Sequence, residues 1–254
     1  MEKYAAPVED MSFILTSLLD IDNYLKSINN KELSYDSLKM IIEEAGKFAC
    51  DELDTINQIG DQEGIKLENG VVRMPESFIK AYKNFVNTGW FSIIGEKKYG
   101  GQDLPLSAVV MINEIWHSTN MSFATNNMLT QGAVELLESH GNEKQKEYYL
   151  PNLISGKWSG TMNLTEPHAG SDLSSIKTKA VEKDKQFLIK GTKIYITHGD
   201  QDMSDNIIHL VLAKLPNAPD GVKGISLFLV PKYYLNDKGT KVKNDIKVVS
   251  IEHK

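Results

Sequence analysis

From Ser37 onward, Leu38, Ile41, Ile42, Ala45, Phe48, Ala49, Leu53 and Ile56 recur at three- and four-residue spacing. That period draws one apolar stripe along a long helix, with Ser34 or Asp36 to cap its start and Gly60 after its end. Residues 1–36 read as irregular with one short helical stretch, Phe13 to Leu19: an arm, or a first short helix packed on the main body. After a polar connection from Asp61 to Asn69, Pro75 opens a second helix carrying Phe78, Ala81, Tyr82, Phe85 and Val86, which Gly89 closes. A loop, Tyr99 to Pro105, leads into a third helix through Trp116. Two more follow: Asn127 to His140, stopped by Gly141, and one capped by Asn142 that ends near Pro151.

Near Ser155-Gly156 the period changes from about four to two. Along Lys157 to Thr165, Trp158, Gly160, Met162 and Leu164 alternate with Ser159, Thr161 and Asn163. Further strands are expected at Ile176–Glu182, Gln186–Lys190, Lys193–Thr197, Ile207–Leu215, Gly224–Val230 and Asp245–Ile251. The turns between them are Asp184-Lys185, Gly191, Gly199-Asp200, Pro216 to Gly221 and Asn236 to Gly239. Short strands separated by turn residues, with no helical period among them, predict an antiparallel barrel or sandwich. The fold class is therefore α+β: an arm at 1–36, an all-α domain at 37–155 and an antiparallel β-barrel at 156–254.

Composition narrows the function more than the fold. The 254 residues carry a net charge of −6 with no basic stripe, which disfavours a nucleic-acid surface. Neither a secretory signal nor a stretch long enough to span a bilayer is visible, so no membrane partner is expected. One cysteine, Cys50, excludes an internal disulfide and a cysteine-based zinc site, and suggests a cytoplasmic setting. It falls on an apolar helical face, which reads as core. His117, His140, His168, His198, His209 and His253 are dispersed, without metal-binding spacing. Dinucleotide, nucleotide-triphosphate and hydrolase signatures (GxGxxG, the Walker loop, GxSxG) are absent.

What remains is Leu164-Thr165-Glu166-Pro167-His168-Ala169-Gly170-Ser171-Asp172, where a strand runs into a turn rich in hydroxyls, carboxylates and glycine-freed amides. Such a turn can present donors to a phosphate or to the polar edge of a heteroaromatic ring; a plain hairpin loop is the other reading. Lys193-Ile194-Tyr195-Ile196-Thr197-His198-Gly199-Asp200 repeats the logic with an aromatic and a hydroxyl. Spacing alone leaves Tyr195 open between a barrel-core aromatic and a ring-facing one.

The first stretch resembles the flavin-contacting motif of the acyl-CoA dehydrogenase family, and Lys193 to Thr197 resembles that family's second flavin strand. Tyr99-Gly100-Gly101 with Leu104-Pro105, His140 to Lys146, and Gly224 to Pro231 agree with it. Tyr4-Ala5-Ala6-Pro7 with Asp10-Met11 and Phe13, and Ala213 to Pro219, resemble the extended branch that includes 3-methylmercaptopropionyl-CoA dehydrogenases. The resemblance implies FAD, an acyl-CoA thioester substrate and an electron-transfer flavoprotein as acceptor. By position, the backbone at Met162 and Leu164 and the hydroxyl of Thr165 would line the flavin's pyrimidine edge. Gly170 would let the backbone approach, and Ser171 would reach the pyrophosphate or the CoA portion of the substrate. Tyr195 would lie against the isoalloxazine, with Thr197 near N5. Asp172 is expected to order the loop, and Glu166 is not the family's base. That base sits in a helical C-terminal domain, which is absent here, so the isolated chain is expected to be a truncated, inactive form. The expected alternatives are a non-catalytic remnant, or a binding subunit that needs a separate C-terminal-half polypeptide or assembles as a homo-oligomer.

Overall fold

A computed structural model describes residues 3–184, 186–236 and 238–252. Met1, Glu2, Lys185 of one expected turn, Asp237 of another, and His253 and Lys254 at the end lie outside them. The arm is mostly helical rather than irregular. It forms α1 (Val8–Phe13), a π turn (Ile14–Leu18) and α2 (Ile21–Ser27). Met11, Leu15, Ile21 and Leu25 are buried in the main helical core.

The long stripe forms α3 (Tyr35–Phe48), a π turn (Ala49–Leu53) and α4 (Asp54–Glu63). Ser34 Oγ accepts from the Ser37 amide at 3.2 Å and Ser37 Oγ accepts from the Ser34 amide at 2.9 Å, a reciprocal cap. Gly60 lies inside α4, and the helix ends instead at Gly64, with φ 62°. The polar connection holds a hairpin not expected from its sequence, β1 (Lys66–Glu68) paired with β2 (Val71–Arg73). The remaining helices are α5 (Glu76–Asn87), α6 (Leu106–Thr119), α7 (Met121–His140) and α8 (Glu143–Ile154). α7 starts six residues before the expected Asn127, because Asn120 caps it by accepting from the Phe123 amide. Phe48, Phe85, Trp90 and Trp116 meet edge to face at the centre, with centroids 5.2–6.3 Å apart.

The strands are β3 (Trp158–Asn163), β4 (Lys179–Lys183), β5 (Gln186–Lys190), β6 (Asn206–Lys214), β7 (Ile225–Pro231), β8 (Tyr233–Leu235) and β9 (Lys241–Lys243). They do not close an antiparallel barrel. β3 runs parallel to β6 from Trp158↔Asn206 to Asn163↔Val211, and β4 meets the same strand in parallel at Lys179↔Lys214. β7 and β5 supply the antiparallel pairs, and β8 with β9 is a separate hairpin. Two expected strands form no ladder. Lys193–Thr197 is irregular, with left-handed backbone at Tyr195 (φ 55°), and Asp245–Ile251 is also irregular. Without them the mixed sheet stays open.

Its buried face packs on α7 and α8. Ala133, Val134, Leu137, Leu150, Leu153, Ile208 and Leu210 form one cluster. Gly160 is the point of closest approach, where a Cβ would stand 2.5 Å from Ala133 Cβ. The Gly160 amide also donates to Thr130 Oγ1 of α7 at 3.1 Å. We therefore expect Gly160→Val to force β3 off α7 and cost about 1–3 kcal/mol, read as a lower urea midpoint with an unchanged slope.

Candidate active site

β3 ends at Asn163, and the chain turns sharply: the Glu166 amide donates to Ala169 O at 2.9 Å and the Ala169 amide to Glu166 O at 3.0 Å. The turn tucks Glu166 inward until 3% of it is exposed. Its carboxylate accepts from Lys193 Nζ (2.8 Å), the Lys177 amide (2.7 Å), the Thr178 amide (3.1 Å) and the Thr178 hydroxyl. Burial opposes the charge, but the Lys193 ammonium, the Thr178 hydroxyl and the two amides hold the carboxyl down at about 2. Lys193 Nζ also donates to Leu164 O at 2.8 Å, and the Ile194 amide to Thr165 O at 3.0 Å. The two stretches singled out in the sequence are thus joined directly.

Asp172 orders the far end of the loop. It accepts from the Ser174 amide and from the hydroxyls of Ser174 and Ser175, which pull its carboxyl below the usual range. Met162 packs toward α7 and α8, and Leu164 and Thr165 are half-buried, while Gly170 and Ser171 are exposed. A Cβ at Gly170 would meet only Thr165 Cγ2, at 3.8 Å, so the protein itself leaves that side open. Among the described residues, the hydroxyls of Thr165, Ser171 and Thr197 have no hydrogen-bond partner.

Tyr195 and Thr197 border a cleft of about 2030 Å³, together with Lys193, Ser122 and Thr125 of α7, and Phe187 and Phe228. Met162, Leu164, Thr165, Gly170 and Ser171 are not part of that wall. Tyr195 is 68% exposed and holds a left-handed backbone, which a bulky residue adopts at a cost of about 1–2 kcal/mol. At the end of this segment His198 Nε2 lies 2.9 Å from Ser122 O, against the start of α7.

Three polar groups escaped the reading of the sequence. Lys193 and Glu166 are complementary across 27 residues of chain, a distance with no spacing signature. His209 did carry a signal: on β6 it alternates with Ile208 and Leu210, and so faces away from the helices. It is buried, with Nδ1 2.7 Å from Thr161 Oγ1. That hydroxyl donates to Asn163 Oδ1 at 2.8 Å, so its oxygen accepts the Nδ1 proton.

A helical half packed on an open mixed sheet, with a polar loop delivered at the end of the sheet's first strand, defines the class. The acyl-CoA dehydrogenase N-terminal domain profile matches residues 36–157 and the middle domain profile matches residues 161–253. The chain belongs to the acyl-CoA dehydrogenase family. It is 44% identical over 253 residues to 3-methylmercaptopropionyl-CoA dehydrogenase of Ruegeria pomeroyi, covering 99% of this chain and 43% of that one. It is 35% identical to a butyryl-CoA dehydrogenase of Syntrophomonas wolfei, covering 100% of this chain and 42% of the relative. The crystal structure of acyl-CoA dehydrogenase from Geobacillus kaustophilus superposes with TM-score 0.63 at 27% identity, covering 79% of this chain and 49% of that one. The FAD complex of PigA matches with the same TM-score, identity and coverage. The chain thus spans less than half the length of these relatives.

The buried groups make the fold acid-sensitive. Burial pushes the His209 imidazole down to about 4; the nearby Asp200 opposes the shift and Lys232 adds to it. The unfolded chain therefore takes up this proton near 6.5 and the folded chain only near 4. Stability contributed by the neutral ring is lost as pH falls through that window, by up to about 3 kcal/mol. Glu166, held at about 2 against an ordinary 4.5, adds a second loss as pH falls below about 4.5. Urea midpoints measured from pH 7 to pH 4 are expected to fall, and His209→Gln to flatten the upper part of the curve.

Proposed function

We propose that this chain is the flavin-facing portion of an FAD-dependent acyl-CoA dehydrogenase, which introduces an α,β double bond into a CoA thioester. The observation that carries the reading is the joined pair of segments, 164–172 and 193–197, which between them carry the uncommitted hydroxyls of Thr165, Ser171 and Thr197 and the exposed ring of Tyr195. Solved relatives of this fold include FAD complexes. Residues 37–155 and 156–254 serve as the helical and sheet units, with 1–36 as an arm, in a cytoplasmic protein.

Bound FAD would supply the acceptor for the substrate's β-hydride. The backbone at Met162 and Leu164 and the hydroxyl of Thr165 would hold the pyrimidine edge, giving donors where negative charge develops. Gly170, with no Cβ in the open space beside Thr165, lets the main chain approach. Ser171, exposed and unbonded, would take a pyrophosphate or CoA oxygen. Tyr195 would cover the ring face, and Thr197 would donate along its central edge. Glu166 is unsuited to remove the α-proton, because a base works best with a pKa near the operating pH and this carboxylate is held at about 2. An electron-transfer flavoprotein is the proposed electron acceptor. A C-terminal-half polypeptide or a second copy is the proposed partner completing the site.

Colour provides the test. The purified chain is expected to carry, or take up, FAD with its visible absorbance bands. A colourless chain that cannot be reconstituted would favour a non-catalytic remnant. Thr197→Ala is expected to weaken FAD binding several-fold, the loss of one hydrogen bond worth about 1 kcal/mol, in a fluorescence titration. With acyl-CoA and an artificial acceptor, the isolated chain should show no meaningful turnover, since general base catalysis alone is worth about a hundredfold to ten-thousandfold. Normal acyl-CoA oxidation by the pure chain would overturn that expectation.

A further inference from the structure

We infer that Lys193 and Glu166 are positioning residues that lock the Thr165 loop and the Tyr195–Thr197 segment into one rigid cradle for the flavin. The inference rests on the FAD reading above and goes beyond it, because neither side chain belongs to the set proposed to touch the cofactor. Both are withdrawn from water, with side chains 8% and 2% exposed.

One ammonium and one carboxylate join three separate segments. Lys193 Nζ reaches Leu164 O and Glu166 Oε1, both at 2.8 Å, so it grips the loop through backbone and side chain together. Glu166 in turn holds the Lys177 and Thr178 amides, where the chain enters β4. Thr165 lies between the two gripped residues, and its own carbonyl accepts from the Ile194 amide. Tyr195 follows two residues after Lys193, and Thr197 four.

Little else fastens Lys193 to His198. Among the described residues the segment has no strand partner, and its ties beyond Lys193 are the Ile194 amide bond, the Gly199 amide to Ile196 O, and His198 Nε2 against Ser122 O. A buried ion pair contributes little net stability compared with an apolar pair of similar volume, because both ions must be desolvated. What this pair supplies is direction. It sets the distance between the Thr165 hydroxyl and the Tyr195 ring, and it keeps the left-handed turn at Tyr195 from relaxing.

The test uses the full chain and three variants: Lys193→Met, Glu166→Gln and the double variant. Three quantities are read: melting temperature, hydrogen exchange of the Ile194 amide without cofactor, and FAD affinity by fluorescence titration. In Lys193→Met we expect the Ile194 amide, which donates to Thr165 O, to exchange at least tenfold faster and the FAD dissociation constant to rise at least tenfold. The double variant leaves no buried lone charge, so its melting temperature should recover toward wild type while exchange and FAD affinity stay impaired. A merely structural pair would recover all three together, and that result overturns the positioning role. Unchanged exchange and affinity in a folded Lys193→Met overturn it as well. Should Lys193→Met fail to fold, Glu166→Gln, which keeps the side chain's shape, carries the same readouts with the same two outcomes. A wild-type chain that takes up no FAD at all overturns the flavin reading and this inference with it. Wild-type uptake with variant affinity unchanged overturns the inference alone.

Discussion

At Gly160 a strand and a helix approach so closely that no side-chain carbon fits between them, and the geometry of the sheet half follows from that contact. With β3 pressed on α7, its partner β6 is set parallel beside it, and Ile208 and Leu210 fall into the same apolar layer as Ala133 and Leu137. The strand's far end then has a defined place, and the loop that starts at Leu164 leaves the sheet from it. Because side chains alternate along a strand, His209 must point to the other face, into the region lined by Asn163 and Val211. One steric constraint thus assigns Ile208 and Leu210 to the helices, and His209 and Val211 to the cleft.

The loop itself is organised by charge rather than by apolar packing. Glu166 remains ionised although almost no solvent reaches it, because four donors converge on its oxygens. The arrangement is the reverse of that at His209, where burial outweighs the nearby Asp200 and favours the neutral form. One titratable group in this half of the protein is therefore held charged and another neutral although both are buried, the difference being whether compensating partners outweigh the loss of water.

Helices were legible in the sequence wherever a stripe of regular spacing met a capping residue, as from Ser34 to Ile56 and from Pro75 to Val86. The arm was not, because a π turn at Ile14–Leu18 and a left-handed Asp20 break the spacing of Met11, Leu15, Ile21 and Leu25. The strand alternation at Lys193–Thr197 was real as a pattern, yet no neighbouring strand pairs with it, and the backbone turned at Tyr195. Period two describes which side chains alternate; it does not provide a hydrogen-bonding partner. The family motif in 164–172 located the loop, and the sequence also suggested that Asp172 orders it. That Lys193 closes the loop depends on three-dimensional proximity, which spacing along one chain does not encode.

The small hairpin of β1 and β2 bears on how the two halves are joined. Asp200 accepts from the Val72 amide at 2.9 Å while pairing with Lys232, and Asp202 accepts from the Met74 amide at 3.0 Å and from Arg73 at 3.2 Å. These bonds connect a turn of the sheet half to a ribbon hung between α4 and α5. The change of period at Ser155-Gly156 is therefore a seam in the sequence but not in the bonding. Cutting the chain there would strip two carboxylates of their amide partners and expose the apolar layer between α7, α8 and β3. The helices and the sheet are two textures joined at one end by apolar packing and at the other by carboxylates of the sheet half that accept from amides of the helical half.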